Sequence, residues 1–105
     1  MKNGARRVVI TGVGAVTPIG TGADGLWAGL TARTSAVREL TRFDPTPYRS
    51  RIAAEIPDFR PHDHLDAKRA KRLDRFSQLA VTSARFAVAD AELDPAREPR
   101  IGWAR

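Results

Sequence analysis

Cysteine is absent from this 105-residue chain, which removes disulfide cross-links, thiolate-ligated metal and any thiol nucleophile from its repertoire. Long apolar runs are absent too. Nothing approaches the eighteen or so residues that a membrane span needs, and Thr11, Gly12, Gly14 and Pro18 interrupt the only apolar stretch near the start, so no export signal follows Arg6-Arg7 and a cytoplasmic location is the default. Acidic residues are outnumbered: the net charge is +6, carried by fifteen arginines and only three lysines. The excess is therefore mostly guanidinium, which suits paired contacts with carboxylate or phosphate, and an acidic partner is expected. Strand signal is scarce after the first dozen residues.

What is present begins with Val8-Val9-Ile10, a β-branched run of the kind that forms a strand covered on both faces in an α/β protein. A lone covered strand leaves its amides and carbonyls unpaired on both sides, so the segment is read as part of a larger domain. Thr21-Gly22-Ala23-Asp24 then has capping-box spacing and predicts a helix with Leu26, Trp27 and Leu30 as its apolar stripe, ending near Arg33 without the glycine that a left-handed cap prefers. From Ser35 to Pro61 the chain reads as an ordered excursion limited by Pro45, Pro47, Pro57 and Pro61 and pinned by Phe43, Tyr48, Ile52, Ile56 and Phe59, with short strand near Ile52 to Ile56. Asp63 or Asp66 predicts the cap of a second helix. Its apolar positions Leu73, Phe76, Ala80, Ala84, Ala87 and Ala91, with a second row at Leu79, Phe86 and Leu93, predict a helix packed between layers and ended by Asp94-Pro95. Arg100-Ile101-Gly102 reads as the start of another strand.

Three groups of residues invite a chemical reading. Gly12-Val13-Gly14 follows a strand, but the third glycine of a dinucleotide fingerprint would fall at Thr17 and Pro18 stands where the phosphate-binding helix should run; the glycines are read as parts of a tight turn. His62-Asp63-His64 with Asp66 has the composition of a divalent-metal site, yet alternation in a loop before a helix favours a polar helix start with aspartate caps. Lys68, Arg69, Lys71, Arg72 and Arg75 crowd five cations into what is predicted to be the first turns of the second helix, where the helix dipole favours anions. A charge pattern that breaks a local rule without local compensation tends to mark function, so these five residues are the candidate docking site for an acidic partner, weighed against a merely solvated charged face. Nucleic acid is disfavoured, because Phe76 is the only aromatic near the basic run and it falls on the apolar stripe, which reads as core.

With these residues in place, the chain resembles the amino-terminal portion of the β-ketoacyl-acyl carrier protein synthases, the elongating type II condensing enzymes and the related polyketide ketosynthases. The resemblance rests on Arg6 to Gly14 with Thr17-Pro18-Ile19-Gly20, on Trp27 and Leu30, on Arg42-Phe43-Asp44, Tyr48 and Asp58-Phe59, on Arg72-Leu73-Asp74-Arg75-Phe76-Ser77-Gln78 and on Arg100-Ile101-Gly102, in the family's order. It implies a thiolase-like α/β fold of two related halves, with residues 1–105 forming an incomplete amino-terminal part of the first half and no second domain. It also implies a decarboxylative condensation of an acyl thioester with malonyl-carrier protein in fatty-acid or polyketide synthesis, performed by a cysteine and two histidines that lie beyond this chain. His62 and His64 are not that pair. On this reading the chain holds no catalytic residue, needs no cofactor of its own because the partner carries the phosphopantetheine, engages acyl carrier protein through Lys68, Lys71 and Arg72 with Arg69 and Arg75 as further candidates, and forms a homodimer or ketosynthase heterodimer at full length, with neither nucleic acid nor membrane as partner. The family commonly has glycine near Arg33 and Ala36, so that turn is expected to differ. Trp103-Ala104-Arg105 replaces the small and β-branched continuation of the family and is read as truncation, a frameshift or an incomplete gene fragment. The contrasting expectation is an independently folding carrier-binding or interaction module without catalysis.

Overall fold

Glycine decides how the amino-terminal segment lies, because Gly12 and Gly14 bring its backbone directly against a helix formed some seventy residues later. The structure is a computed structural model that describes residues 4–97. A Cβ on Gly14 would meet the Ser83 carbonyl oxygen and come within 2.5 Å of the Ala87 nitrogen; one on Gly12 would meet the Ala87 carbonyl oxygen and lie 2.6 Å from the Ala91 Cβ. Two hydrogen bonds fasten the approach. The Ser83 hydroxyl donates to the Gly14 carbonyl at 2.6 Å, and the Val13 amide donates to Asp90 Oδ2 at 2.9 Å.

Beyond that contact the chain makes a tight hairpin, β1 (Val16–Thr17) antiparallel to β2 (Gly20–Thr21), in which the Thr17 hydroxyl bridges the Gly20 carbonyl and amide. The sequence reading placed a turn here but not a paired hairpin. Helix α1 (Gly22–Ala32) follows at once, as expected, although Thr21 at its amino-terminal cap makes no side-chain capping bond. It ends on Arg33, which takes the left-handed conformation at φ 54° in place of a glycine. Strand β3 (Val37–Glu39) then pairs antiparallel with β4 (Ile52–Ala54), Arg38 opposite Ala53, which realises the short strand expected near Ile52. Phe43 and Tyr48 meet edge to face at 5.8 Å inside the connecting loop.

The predicted second helix is two helices. After a 3₁₀ turn at Pro61–Asp63 come α2 (Ala67–Arg72) and α3 (Arg75–Asp90), separated by Leu73-Asp74, both in extended conformation. Asp66, not Asp63, caps α2, its Oδ1 accepting from the Arg69 amide at 2.9 Å. Gln78 links the two helices by donating from Nε2 to the Ala70 carbonyl at 2.7 Å. The end also shifts: α3 stops at Asp90 and Glu92 turns left-handed at φ 55°, before the Asp94-Pro95 expected to end it. The strand expected at Arg100-Ile101-Gly102 lies outside the described residues.

The core is small. Ala15, Phe59, Leu65, Ala70 and Thr82 are its buried members, with the His64 ring stacked on Phe59 at 5.7 Å and set edge-on against Phe86 at 5.3 Å. Val8, Val9 and Ile10, expected as a covered strand, join neither two-stranded sheet and are 91%, 68% and 89% exposed, because no described residue offers an edge to pair with them. Phe76, assigned to the core from its periodicity, is 72% exposed. An apolar groove along α3, lined by Ala80, Val81, Ala84, Val88 and Leu93, is open where layers on both sides were expected. A radius of gyration of 17.9 Å, against roughly 13 Å for a compact domain of about this length, states the same fact as a dimension.

Candidate functional site

The five cations singled out in the sequence divide between two helices. Lys68, Arg69, Lys71 and Arg72 lie on the six-residue α2, and Arg75 is the first residue of α3. The helix break removes the single face that Lys68, Arg72 and Arg75 would share on a continuous helix. It also reverses the dipole argument: Arg69, Lys71 and Arg72 occupy the last turn of α2, where carbonyl groups point outward and positive charge is favoured. The concentration of charge stands, and only Lys68 and Arg75, in the first turns of α2 and α3, remain where the dipole disfavours a cation.

Within the cluster the side chains are held differently. Arg69 pairs with Asp66 (Nε to Oδ2, 3.7 Å), with both side chains more than 60% exposed, so the pair contributes little to stability. Lys68, Lys71 and Arg72 are exposed and have no ion-pair partner among the described residues. Arg75 is half-buried: Nη2 donates to the Ile56 carbonyl at 2.9 Å, and the guanidinium carbon lies 5.4 Å over the Phe59 ring. Burial, and after it the nearby charge of Arg42, hold the Arg75 guanidinium below its ordinary pKa. Arg42 was quoted in the sequence only as a landmark; its closeness to Arg75 depends on a loop closed by Glu55, and no local spacing signals it.

Glu55 closes that loop. Its carboxylate accepts from the Thr41 hydroxyl at 2.8 Å and from the amides of Thr41 and Arg42 at 3.1–3.3 Å, which hold its carboxyl below the ordinary glutamate range, the Thr41 hydroxyl contributing most. Two of the four residues considered as metal ligands are otherwise occupied. His64 is stacked on Phe59 and set edge-on against Phe86, Asp66 caps α2, and no group of three or more metal-ligating side chains forms among the described residues. Gly12 and Gly14, considered for phosphate binding, are pressed against α3. A hollow of about 440 Å³ between the β1–β2 hairpin and residues 56–59 is lined by Thr17, Ile19, Ile56, Asp58, Phe59 and His64, and brings together no nucleophile with a base. Among the described residues no helix is long and apolar enough to cross a membrane.

An exposed basic helix beside a fixed arginine presents positive charge to the solvent. Residues 5–104 match the family described as β-ketoacyl synthase, N-terminal domain. The chain belongs to that family. It is 44% identical over 89 residues to 3-oxoacyl-[acyl-carrier-protein] synthase 2 of Staphylococcus aureus (strain COL), covering 85% of this chain and 22% of the relative. It is 44% identical over 101 residues to the synthase of the same name from Coxiella burnetii (strain RSA 493 / Nine Mile phase I), covering 94% and 24%. The solved structure of the ishigamide ketosynthase/chain length factor superposes on 87% of this chain with a TM-score of 0.74 at 41% identity, and the match covers 23% of that protein. The thiolase-like α/β class expected from the sequence is thereby established. The chain spans less than a quarter of the length of the relatives it matches.

Proposed function

We propose that this β-ketoacyl synthase segment belongs to an enzyme that condenses acyl thioesters with malonyl-carrier protein in fatty-acid or polyketide synthesis, and that its own contribution is to receive the carrier protein. The observation that carries this reading is the match of residues 5–104 together with 44% identity to synthases whose names specify an acyl-carrier-protein substrate. Having no cysteine, these 105 residues supply no thiolate to accept an acyl chain, so on their own they are expected to be inert. The phosphopantetheine thioester arrives on the partner and no cofactor of the synthase is required. Lys68, Lys71 and Arg72, exposed and unpaired by any described carboxylate, supply the positive surface for an acidic carrier helix, with Arg69 drawn partly away by Asp66. Pairing with a second synthase chain, like or unlike, is supported by the two-component name of the structural neighbour, and a cytoplasmic site of action fits a soluble carrier.

In a complete synthase bearing this segment, Lys68→Glu, Lys71→Glu and Arg72→Glu together should weaken carrier-protein binding and flatten its dependence on salt. Unchanged affinity at low salt removes the docking assignment. The isolated 105-residue chain, incubated with acyl- and malonyl-carrier protein, should release no carbon dioxide; turnover would refute the division of labour. The contrasting module reading predicts a cooperative melt with protected amides at Val8 to Ile10, whereas the exposure of those residues predicts fast exchange.

A further inference from the structure

The cations of the basic region differ in how firmly they are held. Lys68, Lys71 and Arg72 project from α2 as exposed chains, each with many rotamers to lose on binding. Arg75, three residues beyond Arg72, is held by the Ile56 carbonyl on one side and the Phe59 ring on the other, and Phe59 is itself 7% exposed and backed by His64. One of its five N–H groups is assigned and the others have no protein acceptor among the described residues, nor does any described carboxylate lie within 4 Å. The Arg42 backbone lies near, since its amide is bound by Glu55 while Arg75 is bound by the carbonyl of the next residue, Ile56, and the Arg42 charge is felt at Arg75. Glu55, whose charge acts on Arg42, spends its hydrogen bonds on Thr41 and the Arg42 backbone and makes no ion pair with Arg75. A fixed, half-buried guanidinium with spare N–H groups, a second cation near it and no described carboxylate within 4 Å of either makes a seat for an oxyanion, and the planar fork of Arg75 suits a carboxylate met in two-pronged fashion.

We propose that Arg75, with Arg42 beside it, is a preformed seat for one carboxylate side chain of the acidic carrier partner, and that it fixes the orientation of the docked partner while Lys68, Lys71 and Arg72 supply the long-range attraction. This rests on the carrier-docking reading above and divides that surface into a steering part and an anchoring part. A fixed donor loses little entropy on binding and acts after contact, so its removal appears in the dissociation rate; exposed charges act before contact and appear in the association rate.

The test is stopped-flow association and dissociation of acyl carrier protein with a complete synthase carrying this segment. Lys68→Gln, Lys71→Gln and Arg72→Gln together should slow association and reduce its salt dependence. Arg75→Lys, which keeps the charge and loses the fork, should leave association unchanged and speed dissociation about tenfold, and Arg42→Gln, whose backbone bond to Glu55 is retained, should speed dissociation with Tm unchanged. If the triple variant associates at the normal rate, the docking reading itself fails. If the triple variant is slowed but Arg75→Lys dissociates normally, the docking reading stands and the anchor is overturned, and a fall in Tm alone would then assign Arg75 to holding Ile56 and Phe59. Slower association of Arg75→Lys with unchanged dissociation also overturns the anchor, since Arg75 would be one more steering charge.

Discussion

Replacing Gly14 by alanine tests the contact on which the amino-terminal segment depends. The new Cβ would run into the Ser83 carbonyl oxygen and sit 2.5 Å from the Ala87 nitrogen, both backbone atoms of α3 that no rotamer change can move. The segment must lift or the helix must shift, at a cost of about 1–3 kcal/mol for overpacking. Lifting also breaks the Ser83 hydroxyl bond to the Gly14 carbonyl, worth about 0.5–1.5 kcal/mol. The sum is about 1.5–4.5 kcal/mol, and because about 1.4 kcal/mol is tenfold in an equilibrium, the Val13 amide that Asp90 now holds should exchange with solvent about tenfold faster or more. Hydrogen exchange followed by NMR at Val13 reads this directly. Gly25→Ala is the control: its nearest neighbours are Gly20 atoms at 3.3 and 3.5 Å, inside a helix that alanine favours. A Val13 rate in Gly14→Ala within threefold of the parent would refute the close approach.

Three further outcomes follow from local geometry. Arg33→Gly should stabilise the chain by about 0.5–1 kcal/mol in urea denaturation, since glycine relieves the left-handed strain at φ 54° at a smaller entropic cost; a loss of stability would show that the Arg33 side chain has a role of its own. Asp66→Ala should cost about 1 kcal/mol and fray α2, seen as faster exchange of the Arg69 amide, and an unchanged rate would exclude the cap. The Glu55 carboxyl titrates below the ordinary glutamate range, so the order it gives the Thr41–Arg42 loop is complete above that range and disappears as pH falls through the lowered value. The Thr41 and Arg42 amide shifts should therefore titrate with an acid midpoint below that of a free glutamate and lose this step in Glu55→Gln; a midpoint at or above the free value contradicts the bonding.

How far the sequence carried these conclusions depended on whether the decisive interaction was local. The start of helix α1 was legible in Thr21-Gly22, its end near Arg33 only loosely because no glycine marks it, and the family followed from short motifs in fixed order. The break between α2 and α3 was missed, since Leu73 and Phe76 fit one helical period; the overlooked signal was Asp74, which stands before Arg75 as Asp66 stands before Ala67. That misreading also made the basic residues look misplaced, when most lie in the last turn of a helix of their own. The role of Gly12 and Gly14 was not legible, because what they touch lies in α3. Val8 to Ile10 have the composition of a buried strand and are exposed, which shows that β-branched content states a requirement for partners without supplying them.

The tie between Gly14 and Ser83 spans 69 residues and that between Val13 and Asp90 spans 77, which bears on synthesis as well as on the finished structure. A ribosome adding about 5–20 residues per second needs roughly 4–14 s after Gly14 is made to deliver the serine that will hold it. Throughout that interval the Gly14 carbonyl and the Val13 amide lack the partners that α3 will bring. The glycines that let the two regions meet so closely therefore make their join a late event in synthesis, timed by the arrival of the helix rather than by the segment that waits for it.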